Sequence, residues 1–235
     1  KAVPKDIALQ LSAAQAKVAA GSLDEAKAFL DRAASIDANN YRLHAIKGEI
    51  ARMRERVPEA IKEYETALAG LPAEPSEGPL YGIQLHMDLM DLYKSARNQG
   101  AADQQLKTAQ AEIDKLNEQG PNRAPFLRLR ALIRMHGGNL DGALQDIKDA
   151  LAMNEHDPNG LQLNGDILMK MGRTEDAIDA FKRVLALDAN NRFALISLGY
   201  ASRAAGRDQA AEKYFERLAQ VDPSLYVPYL ALGDL

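Results

Sequence analysis

The residues best equipped for chemistry are four histidines, His44, His86, His136 and His156. An imidazole can serve as a general base or bind a metal ion. No two of them share a helix at metal-binding spacing, and the chain has no His-Glu-x-x-His. His44 falls at a packing position, and His136 precedes Gly137-Gly138 at a helix end, where a cation suits the helix dipole. Cysteine is absent, which excludes a disulfide scaffold and any thiolate zinc site. Asp157-Pro158-Asn159-Gly160 opens like a calcium loop but lacks the alternating carboxylates and the distal bidentate Glu. It reads as an ordinary turn. No nucleophile elbow, phosphate-binding loop or dinucleotide fingerprint is present, and no strand is expected. The chain therefore reads as non-catalytic, with no metal and no cofactor.

Charge narrows the partners. The 235 residues carry 29 Lys+Arg against 33 Asp+Glu, a formal charge of −4. A dedicated nucleic-acid surface would show a basic excess, so none is expected. Hydrophobic residues make up 46% of the chain, enough for a core. The most apolar stretches, such as Phe126–Met135, are interrupted by Arg128, Arg130 and Arg134, so no membrane insertion is expected. The residues specify no compartment.

The elements that position these residues follow from internal repetition. Ile7–Asn40 ends in Ile36-Asp37-Ala38-Asn39-Asn40, and Pro158–Asn191 ends in Leu187-Asp188-Ala189-Asn190-Asn191; both are 34 residues long. With that period the units are 7–40, 41–74, 124–157, 158–191 and 192–225, with an irregular, lengthened unit at 75–123 and a partial one at 226–235. Together they read as one helical domain over 1–235.

Each position of the unit has a physical requirement. Position 8 is small: Ala14, Gly48, Ala131, Gly165, Gly199 and Gly233. Position 20 reads as alanine throughout the regular units, at Ala26, Ala60, Ala143, Ala177 and Ala210. Position 24 is bulky: Leu30, Tyr64, Ile147, Phe181 and Phe215. Small residues let two helices approach, and the bulky one fills the space beside the contact. Glycine at position 15 (Gly21, Gly138, Gly172, Gly206) suits a left-handed helix end. All ten prolines can be placed in loops or first helical turns. In the irregular unit, helices are expected at about 80–99 and 101–119, joined at Gly100, and its register is ambiguous.

Two charges sit at the inward position 7, Lys47 and Arg130, and the same two units carry Glu63 and Asp146 at position 23 of the facing helix. A buried unpaired charge is costly, so ion pairs Lys47–Glu63 and Arg130–Asp146 are expected. This favours a structural role for Arg130 over a ligand anchor.

The pattern of small 8, Gly 15, Ala 20, bulky 24, Ala 27 and Pro near 32 resembles the tetratricopeptide repeat (TPR) family over nearly the whole chain. Proline stands at 32 as Pro72 and Pro223. The resemblance implies an all-α fold, an α-solenoid of stacked antiparallel helix pairs in a right-handed superhelix of about six repeats plus a truncated seventh. Because the chain stops inside that seventh unit, it reads as part of a longer repeat protein.

The resemblance also implies a binding surface. In the family, positions 2, 5, 9, 12 and 13 of the first helices line a concave groove. The carry-over gives Arg128, Leu132, Met135, Gln162, Asp166, Met169, Phe193, Ile196, Tyr200 and Arg203 as partner-binding candidates, with Arg42, Glu49, Arg52 and Met53 on the second repeat. The pattern of family members that clamp a chaperone's C-terminal carboxylate is not met, since Leu132 and Leu163 stand where asparagines belong. The expected function is a protein-interaction scaffold that takes a partner peptide or protein in the groove. The alternatives are a self-association module, forming a homo-oligomer, or a regulatory or targeting arm of a longer enzyme or secretion-complex protein.

Overall fold

The computed structural model describes residues 6–75, 78–116 and 123–233. The described residues form thirteen helices and no strand. They run α1 (Ile7–Ala19), α2 (Leu23–Ile36), α3 (Tyr41–Met53), α4 (Val57–Ala69), α5 (Leu80–Ser95), α6 (Gln99–Ile113), α7 (Arg123–His136), α8 (Leu140–Met153), α9 (Pro158–Lys170), α10 (Thr174–Leu187), α11 (Arg192–Ala204), α12 (Asp208–Val221) and α13 (Val227–Gly233). Each odd-numbered helix up to α11 packs on the even one that follows it. Helices α1–α6 make one compact unit and α7–α13 another.

The recurrent Asp-Ala-Asn-Asn segments are helix-start devices. The Asp37 carboxylate accepts from the Asn39 backbone N–H at 3.0 Å, and Asn40 caps α3 by accepting from the Arg42 N–H at 3.1 Å. Asp188 and Asn191 repeat the arrangement before α11. The asparagine contacts satisfy amide donors that a helix leaves unpaired at its first turn, and the aspartate contacts hold the turn that leads into it. Helices α2, α4, α10 and α12 lack a side-chain cap but carry Asp or Glu in the first turn, where the dipole favours negative charge. Pro4 and Pro121 lie outside the described residues; the other eight prolines stand in loops, at a helix start or in a first turn.

The third unit is more regular than its sequence suggests. The turn between α5 and α6 falls at residues 96–98, not at Gly100, which lies inside α6. Arg97 holds the left-handed conformation (φ 57°) that glycine takes at position 15 elsewhere, and Glu55 (φ 58°) does the same in the second repeat. Counting from Arg97 sets Ala102 and Ala109 at positions 20 and 27, and both are fully buried. The 34-residue unit thus runs over 83–116, and the extra residues flank it on either side. The departure lies at position 8, where Met90 is buried in place of the Ala or Gly of the other repeats, while Leu106 at position 24 is only half-buried. A non-glycine residue in the left-handed region costs about 1 kcal/mol. Glu55→Gly and Arg97→Gly are each expected to raise stability by about 0.5–1 kcal/mol, read as a higher urea midpoint; a lower midpoint would contradict the assigned turn.

One alanine is corrected by count and by burial: position 20 of the unit 192–225 is Ala211. In the sixth repeat the helix contact is made by Ala211, fully buried, and Ala210 is only half-buried. With that change the position 20 alanines Ala26, Ala60, Ala102, Ala143, Ala177 and Ala211 are all at 0% exposure.

Positions 8 and 24 form a matched pair. A Cβ on Gly165 would lie 2.2 Å from Cε1 of Phe181, and one on Gly199 would lie 2.5 Å from Phe215. Where position 24 is aliphatic, as at Leu30 and Ile147, alanine occupies position 8 as Ala14 and Ala131.

Candidate functional site

The ten candidate residues all lie on α7, α9 and α11. Residues 128, 132 and 135, then 162, 166 and 169, then 193, 196, 200 and 203 recur at three- and four-residue steps. Each set therefore shares one face of its helix. Polar contacts join neighbouring first helices at this face. Arg128 on α7 donates to the Asp157 carboxylate, which also caps α9, at 2.6 Å. Gln162 on α9 donates through Nε2 to Asp166 at 3.2 Å and to Ser197 Oγ on α11 at 2.9 Å.

The surface these residues offer is uneven. Phe193 is 69% exposed and Tyr200 40%. Leu132, Met169 and Ile196 are half-buried, and Met135 is buried, so it contributes little surface. The Tyr200 ring packs edge-on against Phe215 at 5.3 Å between centroids, and the Arg203 guanidinium lies 5.5 Å from the Tyr200 centroid. Arg128 is already engaged by Asp157, which leaves it less available to a ligand than its position suggests.

Asp166 is the electrostatic exception. Burial pushes its carboxyl up to about 6, against the pull of the Gln162 hydrogen bond and the Lys170 charge. The sign of the linkage follows. The folded chain binds this proton more tightly than the unfolded chain, so the contribution of Asp166 to stability declines as pH rises from about 4 through 6. Asp166→Asn is therefore expected to raise the melting temperature at about pH 7.5 and to leave it nearly unchanged near pH 4. Equal stabilisation at both would point to another cause.

The inward charges settle differently in the two repeats. Arg130 grips Asp146 through two hydrogen bonds, Nε to Oδ2 at 2.9 Å and Nη2 to Oδ1 at 2.6 Å, and the pair is structural as expected. Arg134, not anticipated, adds a third bond to Oδ2 at 2.7 Å. The expected Lys47–Glu63 pair is not formed. Glu63 instead meets Nδ1 of His44 at 2.7 Å, while the His44 Nε2 approaches the Ala38 carbonyl at 3.1 Å. His44 stands one turn before Lys47 on the same face of α3, and its short, rigid ring reaches Glu63 at less entropic cost than a lysine chain.

A polar cluster in the first unit went unforeseen in part. Arg52 hydrogen-bonds the Tyr64 side chain and interacts with Asp88 and Glu49. Burial pushes Tyr64 up to about 12 and Asp88 up to about 6. Asp88 accepts from Gln84 at 3.3 Å. Its role could not be read while the register of the third repeat was open. Among the described residues no group of three or more His, Asp or Glu is placed to hold a metal, and no helix is long and apolar enough to cross a membrane.

Paired helices in series, with small-on-bulky contacts and a first-helix face assembled from equivalent positions, define a helical-repeat protein. A family model for the tetratricopeptide repeat matches residues 11–75 and 163–225, more than half of the chain. The chain belongs to the tetratricopeptide repeat family. It is 31% identical over 124 residues to the protein CTR9 homolog of Arabidopsis thaliana, a match covering 49% of this chain and 11% of that protein. A crystal structure of a tetratricopeptide repeat protein from Parabacteroides merdae superposes with a TM-score of 0.66 at 18% identity, covering 99% of this chain and 85% of that one. The APC/C hetero-tetramer Cut9-Hcn1 gives a TM-score of 0.65 at 15% identity, covering 98% of this chain and 43% of that one. The chain thus spans about a tenth of the plant protein and less than half of the Cut9-Hcn1 chain it matches.

Proposed function

We propose that the protein is a non-catalytic interaction scaffold. In this reading the first-helix face of α7, α9 and α11 binds a peptide or protein partner. The observation that carries it is the exposure of Phe193 and Tyr200 on well-formed helices beside Ile196 and Met169. Large exposed apolar side chains grouped on one face mark contact surfaces. Aromatic anchors of this kind supply much of the binding energy at interfaces. Family membership supports a protein partner in general.

The test is a pull-down from source lysate using the full chain, with Phe193→Ser and Lys182→Ser beside wild type. Phe193 packs little, so its removal leaves the fold intact, and Lys182 is an exposed residue on the second helix α10. A partner retained by wild type and Lys182→Ser but lost from Phe193→Ser is the expected result. Equal retention by all three places binding elsewhere. A second reading, self-association, is favoured by Tyr226, Tyr229 and Leu230, which expose 73%, 54% and 58% of their surface at and just before α13. It predicts a mass in solution that rises with concentration.

A further inference from the structure

We propose that the Asp166–Gln162 corner of this face is a cation subsite, and that the partner is an apolar segment whose arginine or lysine docks there. The inference rests on the reading that this face binds a protein.

Among the described residues of the second unit, the other carboxylates withdrawn from solvent have cationic partners. Asp146 has Arg130 and Arg134, Asp157 has Arg128, and Asp222 has Arg192. Asp166 is half-buried and makes no such pair. Lys170, one turn along α9, is exposed and acts on Asp166 through its charge without forming an ion pair. The hydrogen-bond partner of Asp166 is the neutral amide of Gln162, whose Nε2 is shared with Ser197. The Oε1 of Gln162 is buried without a partner. The corner therefore presents a half-buried carboxylate with unused acceptor capacity, beside an amide oxygen that is itself enclosed. A guanidinium, with five donors in a fork, complements it best.

The surroundings fit the rest of such a side chain. Met169 follows Asp166 by one turn of α9, and Phe193 precedes Ser197 by one turn of α11. The methylene stem of an arginine or lysine can lie along these apolar groups while its head reaches the carboxylate. The raised proton affinity of Asp166 agrees with a charge held without compensation. An acidic segment finds less: Arg128 is engaged by Asp157, Arg203 rests over Tyr200, and the remaining cation, Lys170, stands one turn from the Asp166 carboxylate.

The experiment uses the full chain and short fluorescent peptides with identical leucine and phenylalanine positions. Their central residue is arginine, its neutral isostere citrulline, or glutamate. The arginine peptide is expected to bind wild type on the order of tenfold more tightly than the citrulline peptide, as a charge-assisted hydrogen bond allows. Asp166→Asn should abolish that preference while still binding both peptides, and Phe193→Ser should weaken all three. Equal affinity for arginine and citrulline, a preference unchanged in Asp166→Asn, or tightest binding of glutamate overturns the cation subsite alone. No binding of any peptide by wild type overturns the underlying reading of the face, and the subsite with it.

Discussion

Arg130→Leu combined with Arg134→Leu is expected to destabilise the second unit by about 3–5 kcal/mol, the cost of stripping a buried carboxylate of its partners. Asp146 is buried to 3% side-chain exposure and held by three charge-assisted bonds from α7. Arg130→Leu alone should cost less, about 1.5–3 kcal/mol, because Arg134 continues to hold Oδ2. Adding Asp146→Leu to the double variant should recover most of the loss, since a well-packed apolar replacement of a buried ion cluster is often neutral. Urea unfolding monitored by circular dichroism reads all three. A single variant as damaging as the double would show that Arg134 does not share the load. No recovery in the triple would show that packing of the arginine stems, not charge, matters.

Gly165→Ala is the second large effect. The added methyl meets the Phe181 ring at 2.2 Å, and that ring is enclosed on all sides. Overpacking of this kind costs about 1–3 kcal/mol. Phe181→Leu makes room, as Ala14 with Leu30 and Ala131 with Ile147 already do in other repeats. Gly165→Ala in a Phe181→Leu background should therefore cost much less than in wild type. The coupling from such a cycle should reach about 1 kcal/mol or more. Strict additivity would mean that the two positions do not pack as described. Gly48 and Gly199 face Tyr64 and Phe215 in the same way, so the rule can be tested in three repeats.

The fold was largely legible because close packing of two helices constrains residue size at fixed intervals. The chain could not hide the alanine at position 20 or the bulky residue at position 24 without losing the contact. Where the constraint is soft, the reading was weaker. A left-handed residue costs about 1 kcal/mol, which a folded repeat tolerates, so Arg97 could replace glycine and conceal the third repeat. Met90 in place of a small residue at position 8 erased the second marker of the same unit. In the sixth unit the count from Arg192 puts position 20 at Ala211 rather than Ala210, and its complete burial agrees.

Charge partners were harder to foresee. Position 23 correctly signalled Asp146 for Arg130, since both residues lie within one helix pair. Arg134 reaches the same carboxylate from one turn further along α7, and nothing in the repeat pattern reserves that position. Arg128 finds Asp157, the last residue of its own repeat and the cap of α9, 29 residues on. Glu63 had two nitrogen-bearing side chains, His44 and Lys47, within one turn of each other on α3, and side-chain reach chose His44.

The most direct test of the interaction role is site-specific photo-cross-linking in the full chain. A photoreactive phenylalanine analogue would replace Phe193 on the first-helix face, with a control at Lys182 on α10. The account predicts a cross-link to a different protein from position 193, suppressed by excess unlabelled chain, and none from position 182. Cross-links from position 182 alone, or from position 193 only to a second copy of the chain, would contradict it.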